Sequence, residues 1–316
     1  MNSLFSNKKK KIVLSPHFDD FAISIGGLAF RWSANECDVE DVVVFSNSEF
    51  TSDYKCENIA SEKNKKIISE LRFKEEINAT KKIGNIKIRL CKLDDALIRG
   101  HKNLYGSYNI IKRKDREAIN NVSELMNSLL FSGDIQLFVP LAVKEHVDHL
   151  IIRNVVINSI KKNKNQVKAQ VFFYEDLPYA ASANKDEQKK IGRFIKDNQL
   201  VPITYPIDLG SKLKLLDNYK SQPIQGYYDA INRRAEQIQE QSSKKTPSEK
   251  VFMFSPQNAV FKHNRLYPLE TSFLLNKSCS AKSNVQQFID KKIGETGIFL
   301  KNISPELYYA LKRVIK

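Results

Sequence analysis

Short apolar runs alternate with longer amphipathic stretches through the first half of the chain, and that alternation predicts strand–helix–strand units joined into a parallel sheet. Strands are expected at 11–15, 41–46, 86–92, 135–139 and 169–174, with helices at 22–33, 62–83, 113–131 and 149–161. Gly84 closes the second helix, a usual place for a residue free to take positive φ. The pattern predicts an α/β fold: a doubly wound, mostly parallel sheet followed by a C-terminal extension. Past residue 174 the alternation weakens. The polar stretch 233–250 predicts a helix running into a Ser/Lys/Pro loop, a linker or flap, and beyond it lie the apolar patches VFMF and SFLL and a closing amphipathic helix at 305–315.

Composition adds limits to this picture. A chain of 316 residues with 41% hydrophobic side chains can build one large domain or two small ones. The expected division is 1–230 as the main domain and 231–316 as an extension of unassigned role, either a separate domain or packing for the first. Nowhere is there the run of roughly 18 apolar residues that a membrane span needs. Lys8–Lys11 precede only a short apolar run, 12–14, which is a strand and too brief for the core of a secretion signal. Cys37, Cys56, Cys91 and Cys279 form no C-x-x-C pair and no disulfide framework, which points to a reducing cytoplasm. The excess of 51 Lys and Arg over 36 Asp and Glu, a net +15, favours an anionic partner without naming one.

The chemistry gathers where such sheets bind ligands, beyond the carboxyl ends of the strands. After the first strand comes Ser15-Pro16-His17-Phe18-Asp19-Asp20, and after the strand ending at 139 comes the loop that reaches His146-Val147-Asp148-His149. Three of the five histidines fall in these two loops. A catalytic zinc takes three ligands from His and Asp or Glu and leaves one position for water, whose pKa falls to about 7. His17, Asp20 and His149 could supply that set. Asp19 would then be free to take a proton, His146 to serve as acid, and Asp148 to orient an imidazole. Taken one at a time, the acids have a plainer explanation as caps of the helix beginning near residue 22. Two clusters at the same sheet edge are harder to explain as caps.

These residues resemble the PIG-L/LmbE-type zinc-dependent N-deacetylases. His17-Phe18-Asp19-Asp20 is similar to the family's first motif, His-Pro-Asp-Asp, and is followed by Gly26-Gly27. His146-Val147-Asp148-His149 matches the second, His-x-Asp-His. Arg72, Glu75, Ala79 and Ile83-Gly84 resemble a helix motif, and Asp95-Ala96 with Arg99 a turn motif. Tyr174 to Tyr179 (YEDLPY) and Tyr219-Lys220-Ser221-Gln222 resemble two more, all in order between about residues 11 and 222. Phe18 departs from the usual proline and Phe21 from a common third acid. Lys144 and Glu145 stand where many relatives have small or glycine-rich residues.

The resemblance implies a Rossmann-like fold and a hydrolase that removes an N-acetyl group from an amino sugar or glycoconjugate. It implies Zn2+ held by His17, Asp20 and His149, with Fe2+ as an alternative, Asp19 as general base, and His146 as acid or oxyanion partner. Arg72 and Asp95 match positions that contact sugar in relatives. Lys144 is a candidate for an anionic group on the substrate, although such a lysine is more often simply exposed. Two other classes remain: a polyanion-binding protein, for which no nucleic-acid motif is evident, and a metal-dependent hydrolase of another bond such as a phosphodiester, which more often uses two metals. The first strand-to-helix turn lacks the G-x-G-x-x-G of nicotinamide enzymes. Gly26-Gly27 reads as a helix-packing feature, and His101 and His263 belong to no motif.

Overall fold

The computed structural model describes residues 4–52, 61–105, 115–242 and 246–254. The elements follow one another as β1 (Lys10–Ser15), α1 (Asp20–Ala34), β2 (Val39–Val43), α2 (Ser61–Ile83), β3 (Ile86–Leu90), α3 (Arg116–Leu130), β4 (Ile135–Pro140), α4 (Val147–Lys162) and β5 (Gln170–Tyr174). Then come α5 (Lys185–Asp197), β6 (Val201–Pro206), α6 (Leu209–Leu215), α7 (Ile224–Ser242) and β7 (Ser248–Phe254). The seven strands are ordered β3-β2-β1-β4-β5-β7-β6. β1 to β5 pair in parallel, whereas β7 runs antiparallel to both β5 and β6.

The central parallel strands β1, β4 and β5 are buried on both faces, so they read as nearly continuous apolar runs, whereas the edge strand β3 is partly exposed. Ile12 and Leu14 of β1 pack with Leu137 and Val139 of β4 into a core that α3 and α4 cover. The intervening Val13 faces the other way and packs with Phe138, Phe172 and Trp32 of α1. Helices on both faces make the sheet doubly wound, as the alternation of the sequence predicts. The chain runs outward from β1 through β2 to β3, then returns to place β4 on the other side of β1. The reversal of direction falls between β1 and β4, and in open α/β sheets that is where a crevice forms. The two motif-bearing loops are the ones that leave these two strands.

Two expectations change. The stretch 233–250 is neither linker nor flap: α7 continues to Ser242, and β7, beginning at Ser248, is inserted between β5 and β6. Its polar start hid it, because Ser248 and Glu249 are buried, and Glu249 is neutralised by Lys212 at 2.6 Å. The sheet thus runs past residue 231, where the extension was expected to begin. The SFLL patch, the helix expected at 305–315, Cys279 and His263 lie outside the described residues, as does Cys56. Helix starts differ as well: α1 begins at Asp20, and α4 begins at Val147 with His146 at its N-cap.

Gly26 and Gly27 do permit close packing, but against α6 and against Ile207, two residues before it. A methyl group at Gly27 would lie 2.5 Å from Ile207, and one at Gly26 2.9 Å from Leu215. Ile25, at φ −129°, interrupts the helix here, and the Gly27 and Leu28 N–H groups donate to the Glu249 carboxylate at 3.1 and 3.0 Å. No helix among the described residues is long and apolar enough to cross a membrane.

Candidate metal centre

The loops after β1 and β4 bring three imidazoles together. The ring centres of His17, His146 and His149 lie 5.1 to 5.4 Å apart. Each of two histidines has one ring nitrogen held by a carboxylate. His17 Nε2 is 2.8 Å from Asp148 Oδ2, and His149 Nδ1 is 3.1 Å from Asp176 Oδ2. An imidazole that donates one N–H to a carboxylate presents the lone pair of the other nitrogen, the usual arrangement of a metal-ligating histidine. Those other nitrogens, His17 Nδ1 and His149 Nε2, lie 3.5 and 3.6 Å from the same oxygen, Asp20 Oδ2.

His149 Nε2 supplies the test of whether these residues suit a divalent ion. It is fully buried and has no hydrogen-bond partner, although buried polar atoms are almost always paired. An ion ligated by His17, Asp20 and His149 would satisfy it, and one donor atom from each of the three lies within 4.8 Å of the others. A second grouping, His17 with His146 and Asp148, meets the same distance criterion. Its carboxylate is already engaged: Asp148 Oδ2 also accepts the Ala96 N–H at 3.0 Å, and Oδ1 accepts from Arg99 at 2.6 Å. The first set is the better one.

Charge arrangement agrees. Burial disfavours a charged His17, but hydrogen bonds to Asp148 and Asp20 outweigh it and raise its pKa to about 10. Burial would also raise Asp20, yet the facing His149 and His17 hold its carboxyl below the usual range. Asp148 is held lower still by Arg99 and His17, against its burial. Arg99 in turn reaches Asp115 at 2.9 Å, where His101 also bonds at 2.8 Å. The imidazole that Asp148 hydrogen-bonds is that of His17, on the other loop.

Asp19 occupies the N-cap position of α1, but its side chain makes no capping bond. The carboxylate instead accepts from the Tyr227 hydroxyl at 3.0 Å, with Arg72 3.5 Å away. Burial pushes it up to about 6, against the pull of Arg72. His146 Nδ1 accepts the Asp148 N–H at 3.3 Å, which leaves the ring proton on Nε2. Burial, His149 and His17 depress the His146 pKa well below its ordinary value, which favours the neutral ring.

His17, Asp19, Asp20, His146, Asp148 and Tyr227 line a cavity of about 190 Å3 that also takes in Asp95, Tyr105, Tyr179 and Gln222, while His149 is buried behind its wall. Arg72 is buried, not a solvated helix residue, and donates to Ser48 and to the Phe18 carbonyl. Asp95 is both cavity wall and turn former, accepting the Ile98 N–H at 3.0 Å. Lys144 is not in the cavity wall. Its loop turns through left-handed residues at Ala142 and Glu145, φ 56° and 55°, conformations that glycine takes more readily than residues with a side chain.

Sequence reasoning gave no role to Asp176, Tyr227 or Glu76. Asp176 had a signal, since it lies inside the YEDLPY strand end. Tyr227 comes from α7, far along the chain, and nothing local marks it.

Comparison with known proteins fits this geometry. Residues 12–160 match the family model PIG-L, GlcNAc-PI de-N-acetylase. The chain is 25% identical over 173 residues to a 2'-N-acetylparomamine deacetylase of Streptomyces fradiae, a match covering 54% of this chain and 58% of that relative. The chain thus spans less than two thirds of that relative's length. Among solved structures, a zinc-inhibited form of the teicoplanin deacetylase Orf2 aligns with TM-score 0.57 and 17% identity, over 78% of this chain and 98% of that one. The N,N'-diacetylchitobiose deacetylase of Pyrococcus horikoshii aligns with TM-score 0.56 and 16% identity, over 83% and 90%. The fold alone does not select a reaction: a 4-carboxy-2-hydroxymuconate hydratase of Pseudomonas putida aligns with TM-score 0.51 and 14% identity, over 79% and 98%. Both motif loops, which converge on one cavity, fall within the stretch 12–160 that matches the PIG-L family model.

Proposed function

We propose that the protein is a metal-dependent N-deacetylase that hydrolyses the N-acetyl group of an amino sugar or glycoconjugate. The observation that carries the reading is the buried, unpartnered Nε2 of His149 facing the oxygen of Asp20 that His17 also faces, with the Asp19 carboxylate beside them. His17, Asp20 and His149 would hold the ion, with Zn2+ as first choice and Fe2+ as the alternative. When bound, the ion supplies a Lewis acid that polarises the acyl carbonyl and lowers the pKa of water to about 7.

The chain's own groups do the rest. Asp19, its carboxyl raised by burial, takes the proton from water as the water oxygen bonds to the acyl carbon. The Nε2–H of neutral His146 donates to the carbonyl oxygen as charge develops there. The C–N bond then breaks, the proton held by Asp19 passes to the departing nitrogen, and acetate and a free amine result. Asp148 and Asp176 keep the two imidazoles in the tautomers that ligation requires. Arg72 and Asp95, both in the cavity wall, are the candidate sugar contacts.

The cavity is smaller than the roughly 300–1,000 Å3 of sites that enclose a drug-sized ligand, which suits the acylated end of a larger molecule. Its wall carries Asp19, Asp20, Asp95 and Asp148 against Arg72, so an anionic group on the substrate would sit outside it. The residues proposed as the functional domain run from β1 through β7, with a role for 255–316 left to the extension.

The test combines metal titration with a screen for amine release from N-acetyl amino sugars, free and phosphorylated. One ion per chain is expected, with release abolished by chelation and restored by metal. Asp19→Asn should bind the ion as wild type does and lower kcat by about 10²–10⁴-fold, the span of a lost general base. Release at the full rate by chelated wild type, or by Asp19→Asn, would overturn the reading.

A further inference from the structure

Asp19 sits at φ 83° and ψ −32°, a backbone conformation that a residue with a side chain rarely adopts. Something must hold it there, and the surroundings of the preceding peptide show what does. The Phe18 carbonyl accepts from Arg72 Nη2 at 2.9 Å, and the Asp19 N–H donates to Glu76 Oε2 at 2.7 Å. That carbonyl and that N–H are the two ends of a single peptide unit. Arg72 and Glu76 are four residues apart, neighbours on one face of α2.

We propose that Glu76 is a positioning residue for the catalytic base: with Arg72 it clamps both ends of the Phe18–Asp19 peptide and so holds Asp19 at positive φ. This rests on the reading of Asp19 as base. Freed at the N–H end, the peptide can rotate and φ can return to the negative range that L-residues prefer. That rotation turns the part of the loop bearing His17 against the part bearing the Asp19 carboxylate and Asp20.

Glu76 is itself fixed. It is fully buried, and the Tyr219 hydroxyl donates to the same Oε2 at 3.0 Å. Its other oxygen has no partner. Burial, with Asp19 beside it, raises the carboxyl to about 7, and what the geometry asks of Oε2 is an acceptor for the Asp19 N–H and the Tyr219 hydroxyl. Glu76 lies next to the motif residue Glu75, whose carboxylate is committed elsewhere, to the Ser221 N–H and hydroxyl at 2.8 and 2.6 Å.

Two variants decide the matter. Glu76→Gln keeps an acceptor in the same place and should retain positive φ at Asp19 in a crystal structure, with kcat within about fivefold of wild type. Glu76→Ala removes it. There the expectation is negative φ at Asp19 and a kcat lower by about 10–100-fold, the scale of a reacting group displaced by about an ångström. KM should stay within about threefold, and one ion per chain should remain at saturating metal. Positive φ and unchanged kcat in Glu76→Ala would overturn the proposal, as would a Gln variant as impaired as the Ala variant. If Glu76→Ala does not fold, the Gln variant alone still decides. A wild-type protein that releases no amine from any substrate would sink the proposed reaction, whereas the sign of φ at Asp19 in the variants would still judge the clamp.

Discussion

The parallel strands and the antiparallel flank reach the same cavity by different means. β1 leads directly into the loop of His17 and Asp20, β4 into the longer loop and helix start that carry His146 and His149, and β5 delivers Asp176 two residues beyond its last residue. These strands are buried on both faces, so the loops they launch start from fixed points. The flank of β6, β7, α6 and α7 supplies none of the ligands. It approaches from the side: Tyr227 of α7 touches Asp19, and Glu249 of β7 bonds the interrupted start of α1. One region holds the proposed ligands, and the other bonds the proposed base and the helix beneath it.

If that division is right, damage on the parallel side should remove metal, and damage on the flank should spare it. The largest effect is expected from His149→Ala. It deletes the ligand whose Nε2 is buried without a partner, and ion stoichiometry should fall from one toward zero at micromolar metal, with amine release falling in step. Metal analysis after gel filtration checks it. A variant that still held one ion would move the centre to the other grouping, His17 with His146 and Asp148.

A smaller effect on the same side is expected from Asp176→Asn. The Asp176 carboxylate accepts from His149 Nδ1 and, with both oxygens at 3.2 Å, from the Val143 N–H in the contorted loop before His146. An asparagine can still accept from one of these, but it no longer enforces the tautomer that leaves Nε2 free. Metal affinity should fall by about 10–100-fold, the usual cost of losing a carboxylate behind a ligating histidine. Competition with a chromogenic chelator would measure it, and an unchanged affinity would show that helix packing alone orients His149.

The same division explains how much of the molecule could be read from its sequence. The parallel half was legible because strands buried on both faces leave apolar runs, and because His17–Asp20 and His146–His149 are each local in sequence. The antiparallel half was not. β6 has exposed residues at Val201 and Pro202, and β7 opens on a buried Ser-Glu pair whose charge is cancelled only by Lys212, from another element. Lys144 shows the reverse case: two residues from His146 in sequence, it is not in the cavity wall, and the loop that carries it has two left-handed residues. Glu76 was passed over because its partner is a backbone N–H, and no pattern of side chains records which backbone groups need one.

The smallest effect is expected from the flank, and it tests the division most sharply. Tyr227→Phe removes one hydroxyl that donates to Asp19 Oδ2 and leaves the ring in place. A hydrogen bond to a charged group contributes about 1.5–3 kcal/mol, but only part of that is lost here, since the cavity can admit a water to the same oxygen. A fall in kcat of about tenfold is expected, with ion stoichiometry and affinity unchanged, because Tyr227 touches no proposed ligand. Paired kinetic and metal-binding measurements on this variant would separate the two regions. If metal affinity fell along with kcat, α7 would be part of the frame that shapes the ligand set, and the flank would have to be counted as a wall of the metal centre itself.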